Sequence, residues 1–262
     1  MYVIGELING MYNNIGKAVS LKDRAAIEAC ALAQVKAGAD ALDINCGPSS
    51  KDPISDTQWL IETVQSVTDK VICIDSSKPQ VLESCLKITK GSAIINSTTA
   101  DEDKLGTIVP LAKKYNARLI GLTINKKGIP QNKDQRLELA AQIVSYCADK
   151  EFPLENLYLD PIAMPINVAQ GQQKEILESI REFKLISEPA PKTVIGLSNV
   201  SQGTLKRSLI NRTFLVMALE AGLDAAILDP LDNELMDALI TSNLILNKNI
   251  YCDQYLNAYR KK

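Results

Sequence analysis

A chain of 262 residues, 46% hydrophobic and 23% charged, has the length and balance of one α/β domain with an ordinary packed core. A formal net charge of −2 provides no bulk positive field to hold nucleic acid or an anionic membrane, and neither is expected as a partner. The chain contains no histidine, which excludes Ser-His-Asp and Cys-His catalysis, the H-E-x-x-H zinc site and any imidazole base.

Taken in order, the chain repeats one pattern: a short apolar run that stops on a polar residue, then a helix-length segment. The runs are Val3–Gly5 into Glu6, Ala41–Leu42 into Asp43 and Asn45, Val71–Ile74 into Asp75–Ser76, and Ala93–Ile95 into Asn96–Ser97. They continue as Leu119–Leu122 into Thr123 and Asn125, Leu157–Leu159 into Asp160, Val194–Leu197 into Ser198–Asn199, and Ala225–Leu228 into Asp229. Helical spacing with stop signals covers Arg24–Gly38. A second helix is capped by Asp56 and carries Leu60, Ile61, Val64 and Val67 on one face, and a third runs from Pro79 toward Gly91. Asp101–Tyr115, Asp134–Lys150, Gln173–Ser187, Leu209–Gly222 and Asn233–Leu246 behave alike. Strands alternating with helices at roughly 30 residues per unit imply parallel pairing with right-handed crossovers. Eight such units favour a closed (β/α)8 TIM barrel, one domain over 1–262, over an open sheet. No G-x-G-x-x-G follows a strand, so a dinucleotide fold is disfavoured.

Cys30, Cys46, Cys73, Cys85, Cys147 and Cys252 are scattered without a C-x-x-C pair and read as reduced thiols. No metal site is expected from them. With no apolar stretch of about 18 residues and a first segment that reads as a strand, a cytoplasmic protein is expected.

In a parallel barrel the carboxyl ends of the strands converge on one mouth, where catalysis is found. Asp43, Asp75 and Asp160 stand there with Asn96 and Asn199 as neighbours. A lone carboxylate in such a place often only caps a helix. Several together, flanked by carboxamides, can grip a ligand with adjacent N–H donors, such as a 2-amino-4-oxo-pyrimidine edge. Arg207, on the loop before Leu209, could meet an anionic tail or a surface carboxylate. Glu6 and Asn9 could touch ligand or hold their neighbours, whereas Asn125, Lys126 and Lys127 read as a solvated or partner-facing loop.

These residues carry a resemblance. GELING at 5–10, ALDINCGP at 41–48, CIDSS at 73–77 and INSTTA at 95–100 are similar to the pterin-binding barrels. IGLTINKKGIP at 120–130, LYLDPIAMPINVAQ at 157–170 and KTVIGLSNVSQG at 192–203 narrow it, with SLINRTFLVMALEAGLDAAILDP at 208–230 and IYCDQY at 250–255. The chain resembles the methyltetrahydrofolate:corrinoid/iron–sulfur protein methyltransferases of the acetyl-CoA pathway. That resemblance implies a homodimeric barrel transferring the N5-methyl of methyltetrahydrofolate to cob(I)amide on a separate corrinoid/iron–sulfur protein. It implies that Asp75, Asn96 and Asp160 hold the pterin, with Gly196 and Ser198 lining the site. Asn199 would contact N5, while Gln202 and Arg207 would lie toward the aminobenzoyl-glutamate tail and the incoming corrinoid.

Without histidine, the proton or hydrogen bond needed at N5 must come from another group. Asn199 would serve as an uncharged donor, and Asp75, or a water it holds, would supply or relay the proton. Two other folate functions share the barrel. Dihydropteroate synthases carry a D-S-F-S-D-G-G-like loop after strand one and an Arg–His pair on the last strand, and this chain has Asn9-Gly10-Met11-Tyr12 and no histidine. Cobalamin-dependent methionine synthases embed a similar module among zinc and corrinoid modules that have no counterpart here. A folate-binding subunit without turnover is the non-enzymatic alternative.

Overall fold

The structure, a computed structural model, describes residues 1–250. Cys252 and nearly all of the IYCDQY motif lie outside the described residues.

The strands are β1 (Tyr2–Asn9), β2 (Ala41–Asn45), β3 (Val71–Asp75), β4 (Ala93–Thr99), β5 (Arg118–Leu122), β6 (Leu157–Asp160), β7 (Lys192–Gly196) and β8 (Ala225–Leu228). They pair in sequence order, all parallel, and β8 returns to β1 to close the barrel. The helices are α1 (Asn13–Leu21), α2 (Arg24–Lys36), α3 (Pro53–Gln65), α4 (Pro79–Leu86), α5 (Glu102–Lys114), α6 (Lys133–Asp149), α7 (Ile166–Ala169), α8 (Gln172–Phe183), α9 (Arg207–Glu220) and α10 (Asn233–Ile245). Among the described residues no helix is long and apolar enough to cross a membrane.

Three helix ends differ from the sequence expectation. α3 is capped by Asp52, whose side chain accepts from Ser55 N–H, while Asp56 sits one turn in and pairs with Lys22. α4 stops at Leu86 because the chain tightens there into an i→i−3 bond from Ile88 N–H to Cys85 carbonyl at 3.1 Å. α9 begins at Arg207, placing that residue on the helix rather than the loop. α1 and α7 went unread, α1 because its buried face is only Ile15, Ala18 and Val19 and no side chain caps it.

Strand alternation divides the apolar side chains into two cores. Outward residues such as Leu42, Ile72 and Ile195 pack beneath the helices in a large shell. Inward residues form a smaller cluster of Ile4, Ala41, Cys73, Ile94, Ile120, Tyr158, Val194 and Ala225, which fills the barrel. At the amino ends of the strands, Arg118 lies over the Tyr2 ring at 5.1 Å and Lys192 over the Tyr158 ring at 5.4 Å. The barrel is therefore plugged, and a ligand can enter only from the carboxyl end.

One irregularity shapes that end. The register of β1 against β2 slips between Gly5 and Ile8, at Glu6 and Leu7. Gln34, fully buried on α2, accepts the displaced Leu7 N–H with Oε1 at 3.0 Å. Gln34→Leu leaves that N–H unpaired, and the expected loss is about 1–3 kcal/mol in urea unfolding. An unchanged midpoint would show that the bulge does not depend on this bond.

Candidate active site

One step above the apolar plug, the inward positions turn polar on five of the eight strands. Ile4 is followed by Glu6, Ala41 by Asp43, Cys73 by Asp75, Ile94 by Asn96 and Tyr158 by Asp160, while Val194 is followed by Gly196. These residues line a cavity of about 480 Å³ at the barrel mouth. The segment after β7 adds Ser198, Asn199, Gln202 and Arg207, and the loop after β1 adds Asn9, Met11 and Tyr12. Every residue assigned to the site from sequence therefore lines one cavity: Asp75, Asn96, Asp160, Gly196, Ser198, Asn199, Gln202 and Arg207.

The carboxyls at the mouth are held by neutral donors. Asn45 Nδ2 donates to Asp75 Oδ2 at 2.7 Å, and Asn96 Nδ2 to Asp43 Oδ1 at 3.1 Å. Ser198 Oγ donates to Glu6 Oε1 at 2.7 Å, with the Tyr12 hydroxyl at 3.5 Å from the same oxygen. Asp160 accepts backbone N–H groups from Ile162, at 2.7 Å, and from Gly196. Among the described residues none of these four carboxyls enters an ion pair.

Burial without a directly paired cation pushes all four upward. Burial raises Asp160 from its ordinary 3.8 to about 7, with its two backbone donors and the more distant Arg136 pulling the other way. Asp43 is raised by burial and then by repulsion from Asp75, and Asp75 and Glu6 are raised mainly by burial. The mouth thus holds a cluster of acceptors whose charge is poorly compensated. A flat ligand offering a row of N–H donors supplies what the protein withholds, and the apolar side chains of Leu122 and Ile227 line the same cavity.

Asn199 differs from these residues in setting and state. It sits on the 3-10 turn Leu197–Ser201 and is exposed, and its carboxamide makes no hydrogen bond to the described residues. A Cβ on Gly196 would stand 3.0 Å from Asn199 Nδ2, so glycine leaves this amide room above the strand end. Gln202, which follows that turn, is exposed as well.

Arg207 is less free than its sequence position suggested. Its Nε donates to Ser201 Oγ at 3.1 Å and a terminal nitrogen to the Ser198 carbonyl at 3.2 Å, so it braces the turn bearing Asn199. The loops after β1 and β2 touch backbone to backbone. Gly10 N–H donates to Asn45 carbonyl at 2.8 Å, and a Cβ on Gly10 would fall 2.2 Å from Cys46 carbonyl oxygen.

Other polar strand ends bond within their own loops or to main chain, although Asp229 stays near enough to Glu6 and Tyr12 to push both upward. Thr123 is buried and bonds the Asp160 carbonyl, Asn125 closes its own turn onto Lys127 N–H, and Asp229 accepts Leu231 N–H. Asp43, one of the three strand-end carboxyls expected at the mouth, lines the cavity, and Asn45 stands beside it as the donor to Asp75, a role the sequence alone does not assign. Counting inward positions from Ala41 places both there. Among the described residues no cluster of three or more His, Cys, Asp or Glu side chains could hold a metal ion.

A closed parallel barrel with an acceptor-lined mouth is the architecture of enzymes that hold pterins, and the chain belongs to the pterin binding enzyme family, whose model matches residues 9–229. Over 266 residues it is 28% identical to the methylcorrinoid:tetrahydrofolate methyltransferase of Eubacterium limosum, covering 100% of this chain and 97% of that protein. It is 27% identical over 206 residues to the methionine synthase of Mycobacterium tuberculosis, covering 74% of this chain and 17% of that longer protein. Among solved structures, a Yersinia pestis dihydropteroate synthase bound to a sulfonamide drug superposes with a TM-score of 0.72 at 14% identity, covering 95% of this chain and 94% of that one. The Xanthomonas albilineans dihydropteroate synthase with 7,8-dihydropteroate gives 0.63 at 16% identity, covering 94% and 92%. At such identities these two establish the barrel fold alone.

The raised carboxyls make a prediction about stability. A carboxyl whose folded pKa lies above its unfolded value binds more protons in the folded state across the interval between the two. For Asp160 that interval runs from about 4 to about 7, and its contribution to stability falls as pH rises through it. Asp160→Asn is expected to flatten the decline in melting temperature over this range. A decline of unchanged slope would show that Asp160 titrates elsewhere.

Proposed function

We propose that this chain is a methyltransferase that moves a methyl group between N5 of tetrahydrofolate and the cobalt of a corrinoid carried on a separate protein. The observation that carries the reading is Asn199, a carboxamide without a partner among the described residues, at the rim of a cavity whose depth is lined by acceptors. Asp75, Asn96 and Asp160 would take the pterin edge, orienting the ring so that N5 lies beneath Asn199. Gly196 and Ser198 complete the wall, and Gln202 faces the corrinoid side.

The amine nitrogen is a poor leaving group unless it gains a proton or a hydrogen bond as its bond to carbon breaks. A carboxamide suits this task because it can donate through Nδ2 or accept through Oδ1 according to the state of N5. Asp75, tied to Asn45, would supply or relay the proton through water. Cobalt is the nucleophile in one direction and the methyl donor in the other, so the protein positions and stabilises rather than activates a nucleophile.

The resemblance implies that the methyl leaves folate for the corrinoid/iron–sulfur protein, whereas the relative of similar length is named for the opposite sense. Both senses pass through the same transition state, and Asn199 serves either. A cytoplasmic homodimer made of one domain over 1–262 belongs to this same reading.

The test is stopped-flow mixing of the protein with 5-methyltetrahydrofolate and cob(I)alamin, following loss of the cob(I) absorbance, and the reverse mixing of methylcobalamin with tetrahydrofolate. Transfer is expected in at least one direction. Tight folate binding with no transfer in either, even with a corrinoid protein as acceptor, supports a folate-binding subunit instead. Asn199→Ala is expected to slow transfer by about 2–4 kcal/mol of barrier while changing folate affinity less. An undiminished rate removes Asn199 from the chemistry. Asp160→Ala is expected to weaken folate binding in calorimetric titration, and unchanged affinity would break the pterin assignment.

A further inference from the structure

Arg136, on α6, has its side chain wholly buried and enters no ion pair among the described residues. A guanidinium in that position needs its donors satisfied. Its Nε donates to the Pro161 carbonyl at 2.8 Å, and its terminal nitrogens to the Asn132 carbonyl at 3.3 Å and Gln172 Oε1 at 2.7 Å.

The Pro161 carbonyl belongs to the same planar peptide whose N–H is that of Ile162, and this N–H donates to Asp160 Oδ1 at 2.7 Å. One peptide plane therefore spans a guanidinium and a carboxyl, with each end held by a hydrogen bond. The backbone on its far side is unfavourable by itself. Ile162 has a φ of 63°, a left-handed conformation that a β-branched side chain adopts only under constraint. Relaxing it would turn the N–H away from Asp160. The main chain of Asp160 is fixed independently, since Thr123 N–H and Oγ1 both reach its carbonyl at 3.0 Å.

We infer that Arg136 is a positioning residue for the substrate site: by pinning the Pro161–Ile162 peptide it holds the Asp160 carboxyl in the orientation that receives the pterin. The inference rests on the proposed role of Asp160. Its charge acts in the same sense as its bonds, since Arg136 is the cation that draws the Asp160 pKa down against burial. The other charged groups nearby are Glu175 on α8, which faces Arg136, and Glu6, Asp43, Asp75 and Arg207 around the mouth.

The experiment is calorimetric titration of the intact protein with 5-methyltetrahydrofolate from pH 5 to pH 8, with thermal melts to establish folding, for wild type, Asp160→Asn, Arg136→Met and Arg136→Lys. Arg136→Met is expected to weaken binding about tenfold or more, the scale set by a small misplacement of a contacting group. It is also expected to move the pH at which affinity declines upward, because Asp160 then ionises with greater difficulty. Arg136→Lys keeps the charge without the three-pronged geometry, so affinity stays reduced while the pH profile returns toward wild type. Should Arg136→Met not fold, Gln172→Leu frees one prong of the guanidinium and is expected to weaken binding without moving the profile. Wild-type affinity and profile in a folded Arg136→Met, or wild-type affinity in both Arg136→Lys and Gln172→Leu, overturns the inference when Asp160→Asn loses binding. Full affinity in Asp160→Asn instead removes the underlying assignment.

Discussion

Closing eight parallel strands into a ring turns every second side chain toward a common axis, and most of this molecule follows from that constraint. The lower inward positions pack into an apolar plug around Ile94, Ile120, Tyr158 and Val194. The next positions rest on that plug and have water on one side only. Four carboxyls placed there lose solvation, and no lysine or arginine pairs with them among the described residues. The fold accepts their suppressed ionisation, and a ligand rich in N–H donors relieves it. Groups that weaken the folded chain are the groups that make it a binding protein.

The mouth is built in two grades of rigidity. The acceptors project from strands, and their partners come from neighbouring strands or adjoining main chain, as in Asn45 to Asp75, Asn96 to Asp43 and Ile162 to Asp160. Asn199 instead stands on a short turn after β7, braced through Arg207 but with its own amide unengaged. The strand-borne frame is thus fixed, whereas the amide on the turn keeps freedom to reorient. Arg136 extends the frame one tier outward, from α6 through a peptide to Asp160.

The eight strands and their common mouth were legible because each apolar run ends abruptly on a polar residue, a signal tied to barrel geometry. Orientation was less legible. Thr123, Asp160 and Asp229 look equivalent as strand ends, yet Thr123 falls on an outward position, and Asp229 lies beyond β8 and closes on its own loop. Asp43 reads as a mouth carboxyl from its strand end alone, but its pairing with Asn96 is visible only in the structure. Arg136 was invisible, because a charged residue in an amphipathic helix ordinarily marks the solvent face. Yet Arg136 stands in helical register with Leu139, Ala140 and Ile143 on the buried face of α6. The bulge at Glu6 was equally hidden, since the buried carboxamide that stabilises it lies on a different element.

The absence of imidazole gives the buried carboxyls a further property: they are spectroscopically conspicuous. In most enzymes a proton lost near neutrality is ambiguous between histidine and a perturbed acid. Here side-chain protons in that range belong to carboxyls such as Asp160, and a protonated carboxyl has an infrared carbonyl band that an ionised one lacks. The proton inventory of this site can therefore be followed directly through a catalytic cycle, without labelling and without an imidazole background.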